Sequence, residues 1–472
     1  MLAAALLTAL TGAPFCYAAQ QEEITLNVVI WYDFSIPEDF DMIQERADAM
    51  TEETLGLHVN LVPVLGSTLR REVDMIEKEG GCVDVVVNEN DSFSMRPLDD
   101  LLEEYGQDIM RLAGEKELDW TRKNGVLYGL PSRADCVASA GIAFRSDILE
   151  KYEIDISQLT TLEQVDELYD KISALEPDLT MVSPLYTGKG FATRYKQYSA
   201  VPDTVFDFTG DDPTAVNVYE TQEYEDFVTL IRSWYEKGYL PDELPLINVK
   251  GQDLMRTGTL FSYFCACKPG IEWEENVSSR YEVTVVSMKE PEITNDSVQI
   301  SPWGIAEEST HPEESMRFLN MLYSDSDLVN LLINGVEGVH YEVREDGMID
   351  FPDGVTAENS GYYPNMGWSF PNQMLSYVWE GNEVNLWEET QKFVESAEVS
   401  PVLGFAFDDT GVKRMNRTLN EIAEKYSSGL ESGLLDPEVY LKKMRAEMRE
   451  AGSDQVREEL QRQYEAWKEN KQ

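Results

Sequence analysis

The residues best suited to binding chemistry are aromatic and polar side chains that follow two short apolar runs. An indole or phenol ring packs against the C–H face of a polyhydroxylated ring, while carboxylates and amides pair with its hydroxyl groups. In open α/β sheets, ligands lie beyond the carboxyl ends of the strands. We therefore interpret these side chains as candidate ligand contacts, with an ordinary solvated loop as the alternative. They are Trp31, Tyr32 and Asp33 after the first run, and Asn88 and Glu89 after the second.

The sequence contains no motif that predicts catalysis. It has no phosphate-binding Gly-rich loop ending in Lys-Ser/Thr, no Gly-x-Ser-x-Gly turn and no His-Glu-x-x-His motif. The three histidines, His58, His311 and His340, are far apart in sequence, and 88 acidic residues supply any spacing of two carboxylates by chance. We expect a binding protein that uses no catalytic residue, no metal and no cofactor.

The cysteines do not indicate a disulfide framework. Besides Cys16, the chain has Cys82, Cys136, Cys265 and Cys267, which are too few to cross-link 472 residues. The last two are two positions apart in a predicted strand, so they point to the same face. No histidine is close enough in sequence to complete a metal site with them, and we interpret the pair as small core or cleft residues.

Length and charge limit the possible functions. A chain of 472 residues with 42% hydrophobic residues is long enough for two or three folding units. The 88 acidic and 38 basic residues give a formal net charge of -50, which opposes binding to nucleic acid and to anionic membrane surfaces. Such a charge favours solubility outside a cell, and attraction of a cationic ligand is the alternative.

Short apolar, β-branched runs alternate with amphipathic stretches along the chain. Near-continuous apolar strands between helices indicate a parallel sheet covered on both faces, so we predict an α/β fold. Apolar residues at helical spacing predict a helical cap at the end of the chain. The predicted strands are residues 24–31, 58–64, 83–87, 181–185, 259–267, 281–287 and 301–306. The predicted helices are residues 35–50, 68–78, 162–175, 223–237, 312–323, 325–333, 438–449 and 455–467.

Three stretches together resemble the extracellular solute-binding proteins of bacterial ABC importers, and more narrowly the family 1 sugar binders of Gram-positive, lipoprotein-like type. They are residues 301–342, beginning SPWGIAEESTHPEESMRFLNMLY, residues 362–409, ending SPVLGFAFDD, and residues 435–467, ending Glu-x-Gln-x-Gln-x-x-x-Trp. The resemblance implies a two-lobed, periplasmic-binding-protein type II fold with interleaved lobes and a helical C-terminal extension. It places residues 20–137 and 266–332 in lobe 1, and residues 138–265 and 333–472 in lobe 2.

The resemblance also extends the set of candidate ligand contacts. In this family the chain first crosses between lobes near residue 133, and the segment after the last crossing reaches the cleft. A predicted strand near the hinge adds a tryptophan that could face either way. Trp379 and Trp387, at helical spacing, are instead predicted to be core residues. The candidates from these positions are Arg133, Asp135, Trp303, Trp368, Asn372 and Gln373.

The function that the resemblance implies is capture of a sugar or oligosaccharide in a cleft between two lobes. The lobes would close about a hinge and present the solute to the transmembrane subunits of an ABC permease. The protein would work as a monomer, without nucleic acid, outside the cell at its surface. Two alternatives stay open: binding of a peptide or polyamine, and a secreted carbohydrate-active enzyme.

The stretch of residues 1–19 reads as a secretory leader. It is apolar, and it is shorter than the roughly 20 residues that a membrane-spanning helix needs. No Lys or Arg precedes its apolar run, so we expect the true translation start upstream of Met1. Cys16 is a candidate for lipid attachment, as in the family, although the three residues before it fit that signal poorly. Cleavage after Ala18 or Ala19 is the alternative.

Overall fold

The structure, a computed structural model, describes residues 23–33, 35–88, 92–137, 139–183, 199–201, 203–210, 212–241 and 249–471. Strands and helices alternate as predicted, and helices dominate from Lys413 onward. The strands are β1 (Thr25–Tyr32), β2 (His58–Leu65), β3 (Val85–Val87), β4 (Arg122–Lys123), β5 (Val126–Leu127), β6 (Gly141–Arg145), β7 (Thr180–Val182), β8 (Ser199–Val201), β9 (Thr204–Asp207), β10 (Thr214–Asn217), β11 (Leu260–Cys265), β12 (Val283–Ser287), β13 (Glu292–Ile293), β14 (Trp303–Ile305), β15 (Glu342–Val343), β16 (Ile349–Asp350) and β17 (Glu398–Val399). The helices are α1 (Phe40–Leu55), α2 (Leu69–Lys78), α3 (Asp99–Tyr105), α4 (Gln107–Trp120), α5 (Ser146–Lys151), α6 (Leu162–Leu175), α7 (Gln222–Glu236), α8 (Gly251–Met255), α9 (Ile271–Ser279), α10 (Pro312–Ser324), α11 (Ser326–Asn334), α12 (Leu386–Ser396), α13 (Lys413–Glu431), α14 (Pro437–Ala451) and α15 (Ser453–Lys471).

Helix α1 starts and ends later than the sequence predicts. It begins at Phe40 rather than at residue 35, because Ile36 precedes Pro37 and a residue before proline is disfavoured in the helical conformation. It continues to Leu55, where Gly56 takes a left-handed conformation (φ 68°) that costs a glycine little.

The first sheet has the strand order β14-β3-β1-β2. β1 is parallel to β2, with Thr25 opposite His58 and Tyr32 opposite Leu65, and it is also parallel to β3. β14 runs antiparallel to β3 at the edge. Because β1 lies inside the sheet with helices on both faces, its residue Val28 has no exposed surface.

The second sheet has the strand order β12-β6-β11-β7. β12 was predicted to lead back into the first lobe, but it pairs antiparallel with β6, with Val285 opposite Ala143. Its outward N–H groups are covered by side chains of α9. The N–H of Val283 donates to Oδ1 of Asn276 (2.7 Å), and the N–H of Val285 donates to Oε1 of Glu272 (2.9 Å). These bonds protect an otherwise open sheet edge.

Each of these sheets carries its own hydrophobic core, and the cores divide the chain differently from the predicted boundaries. β12 belongs to the second lobe. After α11, Tyr362, Met366 and Phe370 still pack in the first core, whereas Val402 and Phe405 already pack in the second. The segment that contains Tyr362 and Phe370 stays with the first lobe because its aromatic side chains are buried in the first core. The hydroxyl of Tyr362 donates to the carbonyl of Leu332 (2.7 Å) and lies 3.3 Å from the hydroxyl of Tyr32. The ring of Phe370 stacks on Trp303 with centroids 5.8 Å apart.

A third buried cluster lies where the chain passes between the lobes. There β13 and β17 pair in parallel, with Ile293 opposite Val399. Two connections between the lobes therefore run side by side, which allows rotation about a short paired segment. The buried cluster consists of Trp120, Cys136, Ile293, Val298, Val394 and Leu403.

The C-terminal helices α13, α14 and α15 complete the second lobe. Leu430, Met444 and Leu460 have no exposed surface and belong to the second core. Oε1 of Gln461 accepts a hydrogen bond from the N–H of Ala215 in β10 (2.8 Å). The predicted helical cap is confirmed. Among the described residues, no helix is both long enough and apolar enough to cross a membrane.

Candidate ligand-binding site

The aromatic residues at the end of β1 lie in the first core rather than at an open surface. Trp31 is 6% exposed and meets the ring of Trp368 edge to face, with centroids 5.4 Å apart. Tyr32 is 3% exposed, and its burial raises the pKa of its hydroxyl to about 12. Both were predicted as ligand contacts. The structure uses them to pack β1 against the segment that carries Tyr362 and Trp368.

Asp33, the third predicted contact of this group, faces the other lobe. Its carboxylate lies 3.1 Å from Nζ of Lys250, which precedes α8 in the second lobe. Its N–H donates to the sulfur of Met366 in the first lobe (3.2 Å). Asp33 therefore stands at the edge of the cleft and joins the two lobes through an ion pair.

Asn88, the residue after β3, is hydrogen-bonded within the first lobe. Asn88 is 5% exposed, and its Oδ1 accepts a hydrogen bond from the N–H of Phe93 (2.8 Å). Its own N–H donates to the carbonyl of Pro302 (2.8 Å). Asn88 is thus held by two hydrogen bonds inside the protein. Glu89, Cys16 and the whole leader lie outside the described residues.

Three other predicted contacts are structural in this conformation. Trp303 is 1% exposed, and its indole N–H donates to the carbonyl of Ser369 (2.7 Å). Asn372 is equally buried, and its amide donates to the carbonyl of Tyr323 (2.8 Å). Arg133 pairs with Glu117 at 2.9 Å. These residues fix the first lobe around the chain crossing.

The remaining predicted residues, Asp135, Trp368 and Gln373, lie at or beside a cavity between the lobes, which we call the interlobe cavity. Its volume is about 50 Å³. Since one water needs roughly 10–15 Å³ of such space, the cavity holds a few waters but no sugar ring. Entry of a larger ligand therefore requires the lobes to separate. The lining residues with aromatic or polar side chains are Lys268, Trp273, Glu274, Asn334, Tyr363, Asn365, Gln373, Ser376, Tyr377, Trp379, Asn382, Trp387 and Thr390.

Aromatic rings from both lobes form one wall of the interlobe cavity. Trp273, on α9 of the second lobe, stacks on Trp379 of the first lobe with centroids 5.8 Å apart and planes 22° apart. Tyr363 meets Trp379 edge-on at 5.1 Å. The indole N–H of Trp379 donates to Oδ1 of Asn334 (3.0 Å), which fixes the ring. Gly381 (φ 97°) leaves room for the stack, since a Cβ there would lie 2.8 Å from Cδ1 of Trp273.

Trp379 and Trp387, which were predicted to be core residues, also line the interlobe cavity. Trp379 is 9% exposed, as expected for a core residue, and the indole N–H of Trp387 is bound to the carbonyl of Ser376 (2.7 Å). Their N–H groups are committed inside the protein, so a ligand would meet ring surfaces.

Charged groups also lie at the interlobe cavity. Nζ of Lys268 lies 3.2 Å from a carboxylate oxygen of Asp135 and 3.2 Å from one of Glu274. Burial raises the pKa of Glu274, and Lys268 opposes that rise. For Lys268 burial disfavours the charge, but Asp135 and Glu274 together hold its pKa above the ordinary value. The hydroxyl of Tyr363 is buried and has no hydrogen-bond partner among the described residues.

The sequence analysis missed Lys268, Trp273 and Glu274. A signal for them exists, because they follow β11, and the rule of ligands at strand ends applies to the second sheet as well as to the first. The polar and aromatic run that contains them begins directly after Cys265 and Cys267, which were interpreted only as a pair of small residues.

The cysteines pack as interpreted. Cys265 lies in a buried cluster with Ala143 and Tyr263, and the N–H of Cys267 donates to Oγ of Ser139 (3.0 Å). Among the described residues, no group of three or more His, Cys, Asp or Glu side chains is placed to hold a metal ion.

Comparison with known proteins identifies one relative in sequence and several solved structures with a similar fold. A family model described as "Domain of unknown function (DUF3502)" matches residues 401–469. A protein of Streptococcus pneumoniae serotype 4, named "Carbohydrate ABC transporter substrate-binding protein", is 24% identical over 453 residues, covering 92% of this chain and 89% of that protein. The crystal structure of the N-glycan transport solute-binding protein NgtS from S. pneumoniae matches with a TM-score of 0.83 at 21% identity, covering 95% of this chain and 100% of that one. The alginate-binding protein AlgQ2 matches with a TM-score of 0.61 at 15% identity, covering 94% and 99%.

The chain has the fold of a solute-binding protein. The predicted two-lobed α/β architecture is confirmed, as is the resemblance to the extracellular solute-binding proteins of ABC importers that the sequence showed. In such a fold the functional site lies between the lobes, and closure about the hinge encloses the ligand. The interlobe cavity has that position, since residues of both lobes line it.

Proposed function

We propose that this protein is the extracellular substrate-binding subunit of an ABC transporter, which captures a sugar or oligosaccharide in the interlobe cavity. One observation carries the proposal: the two lobes bring aromatic ring faces and hydrogen-bonding groups together around one space. A pyranose needs that combination, because its C–H face is apolar and its rim consists of hydroxyl groups.

The named relatives support a saccharide as the ligand class. The pneumococcal relative is named as a carbohydrate transporter subunit. NgtS has been crystallised in complex with Man1GlcNAc and with Man5GlcNAc. AlgQ2 binds alginate, according to its name. The proteins with this fold therefore include binders of several oligosaccharides, and we propose an oligosaccharide here.

The mechanism we propose is opening and closure about the hinge formed by β13 and β17. In the open state Trp273 leaves Trp379, and the cavity becomes wide enough for a sugar ring. The ligand packs on one lobe, the other lobe closes, and ion pairs such as Asp33–Lys250 form again across the cleft. Affinity in the micromolar range, about −8 kcal/mol, is sufficient for capture and still permits release to the permease.

Within this site we assign the ligand contacts to cavity residues. Trp273 and Tyr363 supply ring surfaces, while Asn365 and Gln373 supply amide groups that can donate to or accept from hydroxyls. Of the residues predicted from sequence, Asp33, Asp135, Trp368 and Gln373 remain candidates. No chemical step is part of this function, and the saccharide leaves unchanged.

The cellular context follows from the proposed function. A binding subunit that serves an importer works outside the membrane, against the transmembrane subunits of its permease. We propose that it acts as a monomer, because one closing cleft needs no second copy. Lipid attachment at Cys16 would hold it near the permease, and mass spectrometry of the protein from its native membrane tests that assignment.

A thermal-shift panel tests the function. Neutral oligosaccharides including Man5GlcNAc, uronate oligosaccharides, peptides and polyamines are compared at equal concentration. A ligand at 100 times its Kd adds about 2.7 kcal/mol to the free energy of unfolding, which raises the Tm by several degrees. We expect a saccharide to give the largest shift. A shift with peptides or polyamines alone contradicts the sugar assignment, and cleavage products from a bound oligosaccharide contradict the binding role.

A further inference from the structure

We infer that the interlobe cavity accepts neutral saccharides and excludes acidic ones, and that Asp135, Lys268 and Glu274 together impose this preference. We call these three residues the charged trio. The inference rests on the proposed function, since it concerns which saccharides enter the same cavity.

The charged trio carries one positive and two negative charges. A single ammonium, on Lys268, lies 3.2 Å from each of the two carboxylates. The side chains of Lys268, Asp135 and Glu274 are only 13%, 19% and 24% exposed, so solvent screens them weakly. Among the described residues that line the cavity, Lys268 and Glu274 are the charged ones, and Asp135 lies against Lys268 beside the cavity. The charges of the trio therefore sum to −1.

This arrangement treats a hydroxyl and a carboxylate differently. A sugar hydroxyl donates to an oxygen of Asp135 or Glu274, and both carboxylates can accept several hydrogen bonds at once. A uronate would instead add a third carboxylate beside an ammonium that is already paired with the carboxylates of Asp135 and Glu274. Because charges interact strongly in a poorly solvated cavity, the repulsion would not be screened as it is on an open surface.

The charged trio is complete only when the lobes are together. Asp135 stands on the first-lobe side of the chain crossing, two residues after Arg133, whose N–H donates to the carbonyl of Pro371 (2.9 Å). Lys268 and Glu274 belong to the second lobe, at the end of β11 and in α9. An acidic saccharide could therefore meet one lobe of the open protein, but it would oppose the closure that holds it.

A separate observation points to hydroxyl groups as what the cavity binds. Tyr363 lines the cavity, and its buried hydroxyl has no hydrogen-bond partner among the described residues. A buried donor without an acceptor costs about 1–3 kcal/mol, which an oxygen of a bound sugar would recover. Burial raises the pKa of Tyr363, and the nearby carboxylate of Glu274, which also lines the cavity, adds to that rise.

The test compares one glycan in two charge states. Man5GlcNAc and the same glycan after oxidation of its primary hydroxyls to carboxylates are titrated into the whole protein by calorimetry. We expect the oxidised form to bind at least about tenfold more weakly, which equals about 1.4 kcal/mol. Equal or tighter binding of the oxidised glycan overturns the charge preference and leaves the saccharide-binding function intact. Failure of both forms to bind contradicts the proposed glycan ligand and this inference together.

Two variants separate the charged trio from general effects. Glu274→Gln keeps the size of the side chain and an oxygen for Lys268, but it removes one negative charge. We expect it to reduce the affinity ratio between the two glycans to about threefold or less. Glu236→Gln removes an exposed carboxylate from α7, where it pairs with Arg232, and should leave the ratio unchanged. An unchanged ratio in folded Glu274→Gln, judged by its thermal transition, overturns the assignment.

Discussion

Replacement of Trp273 by alanine should weaken saccharide binding by about 5- to 30-fold. Trp273 is the aromatic ring that the second lobe brings to the interlobe cavity, where it stacks on Trp379 of the first lobe. In the mechanism proposed above, a sugar ring takes the place of that stack when the lobes open and close again. The alanine variant keeps the hinge and the first lobe but loses the ring surface.

The size of the effect follows from two opposing contributions. A tryptophan covers on the order of 200 Å², so one ring face amounts to about 100 Å². At about 25 cal/mol per Å², covering that face by a sugar contributes about 2.5 kcal/mol. In the free protein the face is already covered by Trp379, and separating an aromatic pair costs about 0.5–1.5 kcal/mol. The difference, about 1–2 kcal/mol, gives the range stated above.

Isothermal titration of the best saccharide from the thermal-shift panel measures this effect. The matched control is Trp467→Ala, which removes a ring that packs on Phe405 (5.8 Å) and Tyr464 (6.0 Å) in the second lobe. We expect the control to lose stability while its Kd stays at the wild-type value. If Trp273→Ala binds the saccharide as tightly as the wild type does, the ring is not a ligand contact and the proposed site is wrong.

Three further outcomes follow from the structure. Leu460→Ala should lower the free energy of unfolding by about 2–5 kcal/mol, because it empties a buried position. Val439→Ala, at an exposed position, should change it by less than about 0.5 kcal/mol. If urea unfolding gives the same free-energy change for both variants, the C-terminal helices do not form part of the core. The hydrogen bond to Asp48 raises the pKa of His58 in the folded protein. Protonated His58 therefore stabilises the fold fully at a pH below its unfolded-state pKa of about 6.5, and this stabilisation is lost as the pH rises through the folded-state pKa. The difference in unfolding free energy between wild type and His58→Gln should therefore shrink between about pH 5.5 and about pH 8.5, and a constant difference would contradict this. Lys250→Met should make ligand affinity less sensitive to salt, since it removes an ion pair across the cleft; titrations at low and high salt that show an unchanged dependence would argue against that role.

The elements of the first lobe could be predicted because their signals are local. The run that forms β1 is apolar at six of its eight positions, and the run that forms β2 follows α1 shortly after its glycine C-cap. Pro312 marks the start of α10, where a proline has no hydrogen bond to lose. Signals of this kind need only a few neighbouring residues.

The lobe boundaries could not be predicted in the same way, because they depend on pairing between distant segments. β12 has the composition of a buried strand, but nothing in its five residues indicates that it pairs with β6 rather than with the first sheet. The hydroxyl of Tyr32 lies beside that of Tyr362, which is 330 residues away in sequence. Such contacts decide which lobe a segment joins, and a single sequence does not record them.

The candidate site likewise depends on contacts between residues that are far apart in the sequence. The strand-end rule pointed to the end of β1, where Asp33 forms an ion pair with Lys250 of the other lobe, but Trp31 and Tyr32 turn into the core. Which way a side chain points depends on register and on the partner that covers it. Trp273 could have been found by applying the same rule to β11, whereas its stacking on Trp379 is a contact between lobes that only the structure contains.

Whether a saccharide binds between the two lobes is decided by a crystal structure of the complex. Crystals are grown with the saccharide that gives the largest thermal shift. We expect density for a sugar ring in the interlobe cavity, with Trp273 moved away from Trp379 and packed on the ring, and with both lobes in contact with the ligand. A sugar bound on an outer face, or a bound sugar that leaves the stack of Trp273 on Trp379 intact, would show that the saccharide does not bind between the lobes as proposed.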